Sequence, residues 1–256
     1  MLTPGLAVVA ALLIWWLGTG VILYLVARGP RAAPRSMAGA TLVLVAALIG
    51  ISRLRDEVSV AAAYGGFACS VAVWGWLEMS FLFGYVTGTR RHPCPIHCAG
   101  PRHFVHAVQA IIWHELAIVV LAAVVFVLDW PGANRVALWT LLILWGMRES
   151  AKLNLFLGVR NLSEELLPVH LRYLRGFFRR RPLNFLFPLS VTASAVLLTL
   201  LVQKILAPAA SEFQVVSYTL LASMTALGLL EHWALVLPFS QNALWGWSLR
   251  AREATR

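Results

Sequence analysis

Apolar runs about as long as a bilayer is thick recur along this chain, and such a repeat leaves few folds open. A helix needs about 20 mostly apolar residues to cross the hydrocarbon core, and every backbone polar group inside that core has to be satisfied within the protein. Runs of this kind cover residues 4–27, 37–52, 60–86, 104–128, 135–158, 183–206 and 213–237. The second is short and rich in Ala and Gly, so tight packing or an added turn has to make up its length. The first lacks a basic leader region and is too long for a cleaved signal, so it is expected to be the first span. The predicted fold class is all-α: a polytopic integral membrane helix bundle of about seven transmembrane spans, forming one domain over residues 1–256. Composition agrees, with 60% hydrophobic and 12% charged residues, against about 45–50% and about 25% in soluble domains.

Charge tests the span count. The net charge of +10 is carried almost entirely by arginine. With seven spans, the first, third and fifth loops and the C-terminal tail hold fifteen of the twenty-one basic residues, and the opposite side holds four: Arg53, Arg55, Arg135 and Lys204. Basic residues stay on the cytoplasmic side, so the N-terminus is expected to be periplasmic and the C-terminus cytoplasmic. This clustering fits anionic lipid headgroups, and no nucleic-acid partner is expected. The basic loop 160–182 contains the stretch LPVHLRYLRGFF, which suits an interfacial helix in the headgroup plane or a solvated helix on the protein surface. The tail 242–250, with two Trp, reads as interfacial. The Trp15–Trp16 pair lies mid-run and is expected to pack within the protein.

The fifth run is apolar yet carries Arg148, Glu149, Lys152 and Asn154. A charge at the bilayer centre costs roughly 2.5–3.5 kcal/mol on insertion scales, so such residues face the bundle interior and pair with one another. Arg148, Glu149 and Lys152 are spaced to share one helix face. Glu78, His114, Glu115, Glu231 and His232 fall at comparable depth in three other runs, roughly 8–17 Å from the cytoplasmic ends at 1.5 Å per residue. One shared polar layer is the economical reading. It admits a satisfied ion-pair network, a pigment site with a His as axial ligand, a Glu/His metal centre or a proton path. The neighbouring pairs His114-Glu115 and Glu231-His232 depart from the Glu-x-x-His spacing of di-iron bundles.

In the connector 87–103, Cys94, His97 and Cys98 with His92 or His103 offer zinc ligands, but the spacing matches neither C-x-x-C nor C-x-x-C-H, and an ordinary loop is the plainer expectation. The three cysteines, Cys69, Cys94 and Cys98, form no disulfide framework. No P-loop, dinucleotide fingerprint, H-E-x-x-H or G-x-S-x-G motif is present, and nothing in the chain names an enzyme.

The stretches ESAKLNLFLGV at 149–159, NFLFPLSVT at 184–192, WHEL at 113–116, LLEHWALVLP at 229–238, IWWLGTG at 14–20 and WGWLE at 74–78 resemble the PuhE family of photosynthetic complex assembly proteins. The resemblance runs over nearly the whole chain. It implies a multi-pass protein of the bacterial inner, photosynthetic membrane. It further implies a role in assembling reaction-centre and light-harvesting complexes and in supplying bacteriochlorophyll, with subunits of those complexes as partners. The family motifs coincide with the polar layer. The expected function is therefore an assembly factor, non-enzymatic, that handles bacteriochlorophyll or a precursor or docks nascent subunits. Its binding residues would be Glu78, His114, Glu115, Arg148, Glu149, Lys152, Asn154, Glu231 and His232. Two alternatives stay open: a membrane metalloenzyme of tetrapyrrole or carotenoid synthesis using iron or zinc, and a scaffold whose polar layer is a buried ion-pair network.

Overall fold

The computed structural model describes residues 2–95, 98–162, 164 and 167–237. Among the described residues seven long helices follow one another: α1 (Leu2–Ala27), α2 (Ala33–Leu54), α3 (Val60–Leu82), α4 (Gly100–Asp129), α5 (Val136–Leu157), α6 (Leu186–Ile205) and α7 (Glu212–Ala234). A 3-10 helix, Val169–Phe177, lies between α5 and α6. Among the described residues no strand forms, and the backbones of Val159 and Arg180 meet in one isolated parallel bridge. The tail 242–250, His97 and Glu165 lie outside the described residues.

Six of the helices are long and apolar enough to cross a membrane. The remaining long helix, α5, has 22 residues, and its three charges set it apart from the others. Burial sorts the six. In their most apolar windows α7 is 56% buried and α3 39%, while α1, α2 and α6 are 17% and α4 22%. Exposed Leu6, Leu42, Val120, Leu189 and Leu200 clothe the outer helices. Lipid is the solvent that makes such a surface stable, and the arrangement is that of a multi-pass membrane protein.

Two apolar cores flank the α3–α5 contact. Phe67, Val216 and Leu220 anchor the one shared with α1, α6 and α7. Ile51, Val73, Val125 and Leu141 anchor the other, shared with α2 and α4. The short second run gains its length from the flanks: α2 has 22 residues, with Pro34 in its first turn, where a missing N–H costs nothing. Trp15 turns inward, but Trp16 is exposed on the outer face, which corrects the expectation that both rings pack within protein.

The loops 55–59, 130–135 and 206–211 lie at one end, and one asparagine closes much of it. Asn134, 2% exposed, donates through Nδ2 to the carbonyls of Leu54 and Ala62, both at 3.2 Å, and accepts from Val136 N through Oδ1 at 3.2 Å. Asp129 Oδ2 accepts from Leu138 N at 2.9 Å. Together these satisfy orphan donors in the first turn of α5, whose own N-cap residue Arg135 makes no side-chain cap.

At the other end, the basic loop forms a helix on the protein surface, the second of its two expected forms, wound as a 3-10 helix. Leu171, Leu174 and Phe177 recur every third residue, which is the period of a 3-10 helix, so all three lie along one edge. That edge packs onto Phe81 and Ala110, while Val169, His170 and Arg172 remain outside. Protein therefore covers the apolar side that an interfacial helix would turn to the headgroups. Glu164 ties the loop down through Arg175 and Arg180, each at 3.6 Å.

The connector after α3 is re-entrant. Thr87 O accepts from His114 N at 3.0 Å, and Gln109 O accepts from Arg90 N at 3.1 Å. A Cβ on Gly88 would stand 2.1 Å from Gln109 O, so only glycine allows this approach. Non-helical backbone at such depth has to find protein partners, and here α4 supplies them. Because α4 begins at Gly100, four residues before the expected span, His114 lies deeper along its helix than predicted, about 21 Å from the start. The inserted connector brings the membrane-end structure down to its level.

Candidate functional site

The charges of α5 meet partners from α3 and α4. Arg148 Nη2 donates to Glu78 Oε2 at 3.0 Å. Lys152 Nζ donates to Glu115 Oε1 at 2.6 Å and to Glu149 Oε1 at 2.8 Å. Glu231 of α7 is exposed and lines the same two cavities as Arg148. The two cations thus pair with three of the four carboxylates of the polar layer.

These groups line two apolar cavities, of about 700 and 460 Å³. Glu78, Arg148 and Glu231, with Trp15, Thr19 and Leu23, belong to the walls of both, so the charged cluster forms the partition between them. Arg148 keeps 43% of its side-chain surface accessible although its helix is central, and it lines both cavities. Both volumes fall in the range of about 300–1,000 Å³ usual for ligand pockets.

His114 lines the smaller cavity together with Glu115, Glu149, Lys152, Phe156 and Phe177. Its side chain is 1% exposed, and its ring tilts against Phe81 with centroids 4.6 Å apart. Its Nδ1 has no hydrogen-bond partner, and neither has Glu78 Oε1. An unsatisfied buried polar group costs about 1–3 kcal/mol, so these two atoms mark the site as incomplete by itself.

Two of the residues expected here are elsewhere. His232 is buried with both ring nitrogens engaged, Nδ1 with Gly228 O at 2.8 Å and Nε2 with Ser150 Oγ at 2.8 Å. Asn154 donates to Ser150 O at 2.9 Å and Ser190 Oγ at 3.0 Å, and its Oδ1 accepts from Asn184 Nδ2 at 3.1 Å. They join α5 to α6 and α7 on the side of the helix away from Arg148 and Lys152. The polar residues of α5 are therefore split between a cavity face and a packing face.

Asn184 and Asn161 are the residues that sequence reasoning passed over. Asn184 Oδ1 accepts from Leu186 N at 2.9 Å and Phe187 N at 3.1 Å, capping α6, and its Nδ2 donates to Gly158 O at 2.8 Å. Asn161 donates to Ala234 O at 2.8 Å and to Leu237 O, closing the end of α7. An Asn at the head of an apolar run was the available signal for the first.

In the connector, Cys94 Sγ lies 3.1 Å and Cys98 Sγ 3.3 Å from His106 Nδ1. His103 Nδ1 is 3.3 Å from Cys94 Sγ. Burial, reinforced by the neighbouring Cys98, holds the Cys94 thiol above its ordinary range. Among the described residues, Cys94, Cys98 and His106 are the one group of three or more ligating side chains whose donor atoms gather within 4.8 Å; the Glu/His layer does not gather so.

Comparison with known proteins places these features in a family. The family model described as "Protein of unknown function (DUF3623)" matches residues 1–256. The chain belongs to this family. A curated relative from Rhodobacter capsulatus, titled "Uncharacterized 30.4 kDa protein in puhA 5'region", is 37% identical over 257 residues, which cover 99% of this chain and 93% of the relative. No solved structure matches the chain. The polar partition and its cavities are thus features of a DUF3623 protein whose relative is encoded beside puhA.

Proposed function

We propose that this DUF3623 protein is an assembly factor for bacterial photosynthetic complexes, of the PuhE type. In this reading it spans the photosynthetic inner membrane seven times, with α5 as the charged central span, the N-terminus periplasmic and the C-terminus cytoplasmic. It holds bacteriochlorophyll or a precursor in the paired cavities and passes it to reaction-centre or light-harvesting subunits. The gene neighbourhood of the Rhodobacter capsulatus relative supports the process.

The observation that carries the pigment reading is His114: its Nδ1 is buried and unpartnered, and the residue lines an apolar cavity, so a turn of the ring would present a donor nitrogen to it. Neutral imidazole is the commonest protein metal ligand. His114 would supply the protein's donor to a magnesium already held by a macrocycle, whereas a free magnesium ion would demand several oxygens and retained waters. The apolar walls suit the macrocycle, and the charged partition offers donors and acceptors for its polar substituents. Glu78 lines both cavities, and its Oε1 has no hydrogen-bond partner.

The test is an absorbance spectrum and pigment extraction on protein purified in detergent from a bacteriochlorophyll-producing host. The expected result is a tetrapyrrole band in the wild type that falls at least about tenfold in His114→Leu and is retained in His232→Gln. A wild type free of pigment would overturn the reading. Iron or zinc bound at Glu115 and Glu231 in its place would move the assignment to a metalloenzyme.

A further inference from the structure

The Cys/His cluster of the connector lies outside the partition, and the pigment reading does not use it. Cys94 and Cys98 are separated by three residues, within the C-x₂₋₄-C spacing of structural zinc sites. His103 and His106 are i,i+3 neighbours on α4 and so point from one helix face. The sulfur–nitrogen separations of 3.1–3.3 Å are slightly shorter than the roughly 3.6 Å edge of a tetrahedral zinc centre with Zn–S near 2.3 Å and Zn–N near 2.05 Å. The side chains of Cys94, Cys98 and His106 already converge on a point that a metal ion would occupy with a small outward movement of each, and His103, which contacts Cys94 but lies outside that group, would swing in as the fourth ligand. Two sulfurs and two nitrogens are a donor set that selects a zinc-class ion over magnesium or calcium.

We propose that Cys94, Cys98, His106 and His103 bind one divalent ion of the zinc class, which staples the re-entrant connector to α4. The surroundings fit a structural site. Cys94 packs against the cluster of Phe81, Ala110, Leu171 and Phe177. Pro93 abuts the 3-10 helix, where a Cβ on Gly176 would meet it at 3.1 Å. His103 stacks on Phe156 at 5.4 Å and faces Phe177 at 5.6 Å, and both of those rings line the smaller cavity. The bound ion therefore fixes one wall of that cavity, and losing it frees the connector around Arg91. On the cytoplasmic side proposed above, the thiols stay reduced and available to metal.

The test uses the full chain in detergent under reducing conditions. Cobalt(II), which takes the same ligands and is coloured, is titrated and then displaced by zinc. The expected result is one cobalt per chain with a thiolate-to-cobalt charge-transfer band, displaced by one equivalent of zinc. Affinity falls roughly tenfold or more in Cys94→Ser, Cys98→Ser and His106→Ala, and stays unchanged in Cys69→Ser. Chelation of the wild type, which avoids any folding defect of a variant, accelerates tryptic cleavage after Arg91, and zinc restores protection. Absence of the charge-transfer band, metal binding that survives Cys94→Ser, or proteolysis indifferent to chelation would each overturn the proposal. Metal held by the Glu/His partition would survive the cysteine substitutions, so failure here and failure of the pigment reading are separable.

Discussion

The two ends of the helix bundle bury different kinds of polar group. At the end of the short loops, Asn134 and Asp129 are buried, and their side chains spend their hydrogen bonds on backbone donors and acceptors of α2, α3 and α5. The re-entrant end buries more polarity and leaves part of it unmatched, with Glu78 Oε1 and His114 Nδ1 unpartnered beside two cavities. Completed networks rigidify a fold, whereas unmatched groups cost stability unless something else supplies their partner. The contrast lies in the kind of group left unmatched: hydroxyls of Tyr64 and Ser217 toward the short loops, and an imidazole nitrogen and a carboxylate oxygen beside the cavities.

Substitutions at matched positions break this comparison in a definite order. The largest effect is expected from Asn134→Ala, which removes three side-chain hydrogen bonds at a buried position; thermal unfolding in detergent should show a loss of about 3 kcal/mol. Gly132→Ala comes close behind, because its new Cβ would stand 2.2 Å from Arg55 O, and overpacking against backbone costs about 1–3 kcal/mol. Its counterpart at the other end, Gly88→Ala, meets Gln109 O at 2.1 Å. The same local strain should there release the connector, seen as faster trypsin cleavage at Arg91, with a smaller shift in global unfolding.

Lys152→Met removes the cation shared by Glu115 and Glu149 and should cost about 2 kcal/mol by the same unfolding assay. Adding Glu115→Gln and Glu149→Gln to it should recover most of that loss. The smallest stability change belongs to His114→Leu. Deleting an unsatisfied buried nitrogen should leave the unfolding temperature unchanged or raise it slightly, while pigment binding disappears. A destabilisation of His114→Leu as large as that of Asn134→Ala would mean that the two ends are built alike.

Much of the fold was legible from the chain. A backbone in lipid has to bond to itself, so run length translates directly into helices, and α1, α3, α6 and α7 lie close to where the apolar runs placed them. The pairing of Arg148, Glu149 and Lys152 was legible too, because i,i+3 and i,i+4 spacing puts them on one face and buried charges need partners. The 3-10 helix was not. Its residues Leu171, Leu174 and Phe177 also fit an amphipathic α-helix, and only the contact with Phe81 and Ala110 selects the tighter winding.

The same limit applies to the site. Sequence alone determined that a polar layer exists, how many charges it holds and which helices carry them, since insertion cost forces those residues inward wherever the helices pack. Spacing along one helix states which side chains share a face, and it says nothing of what that face meets. Tertiary structure decided that His114 borders a cavity while His232 is spent on Ser150 and Gly228. It also brought His106, twelve residues from Cys94, to within 3.1 Å of that sulfur. Both outcomes depend on how a re-entrant connector and seven helices settle against one another, a balance of packing that no single segment contains.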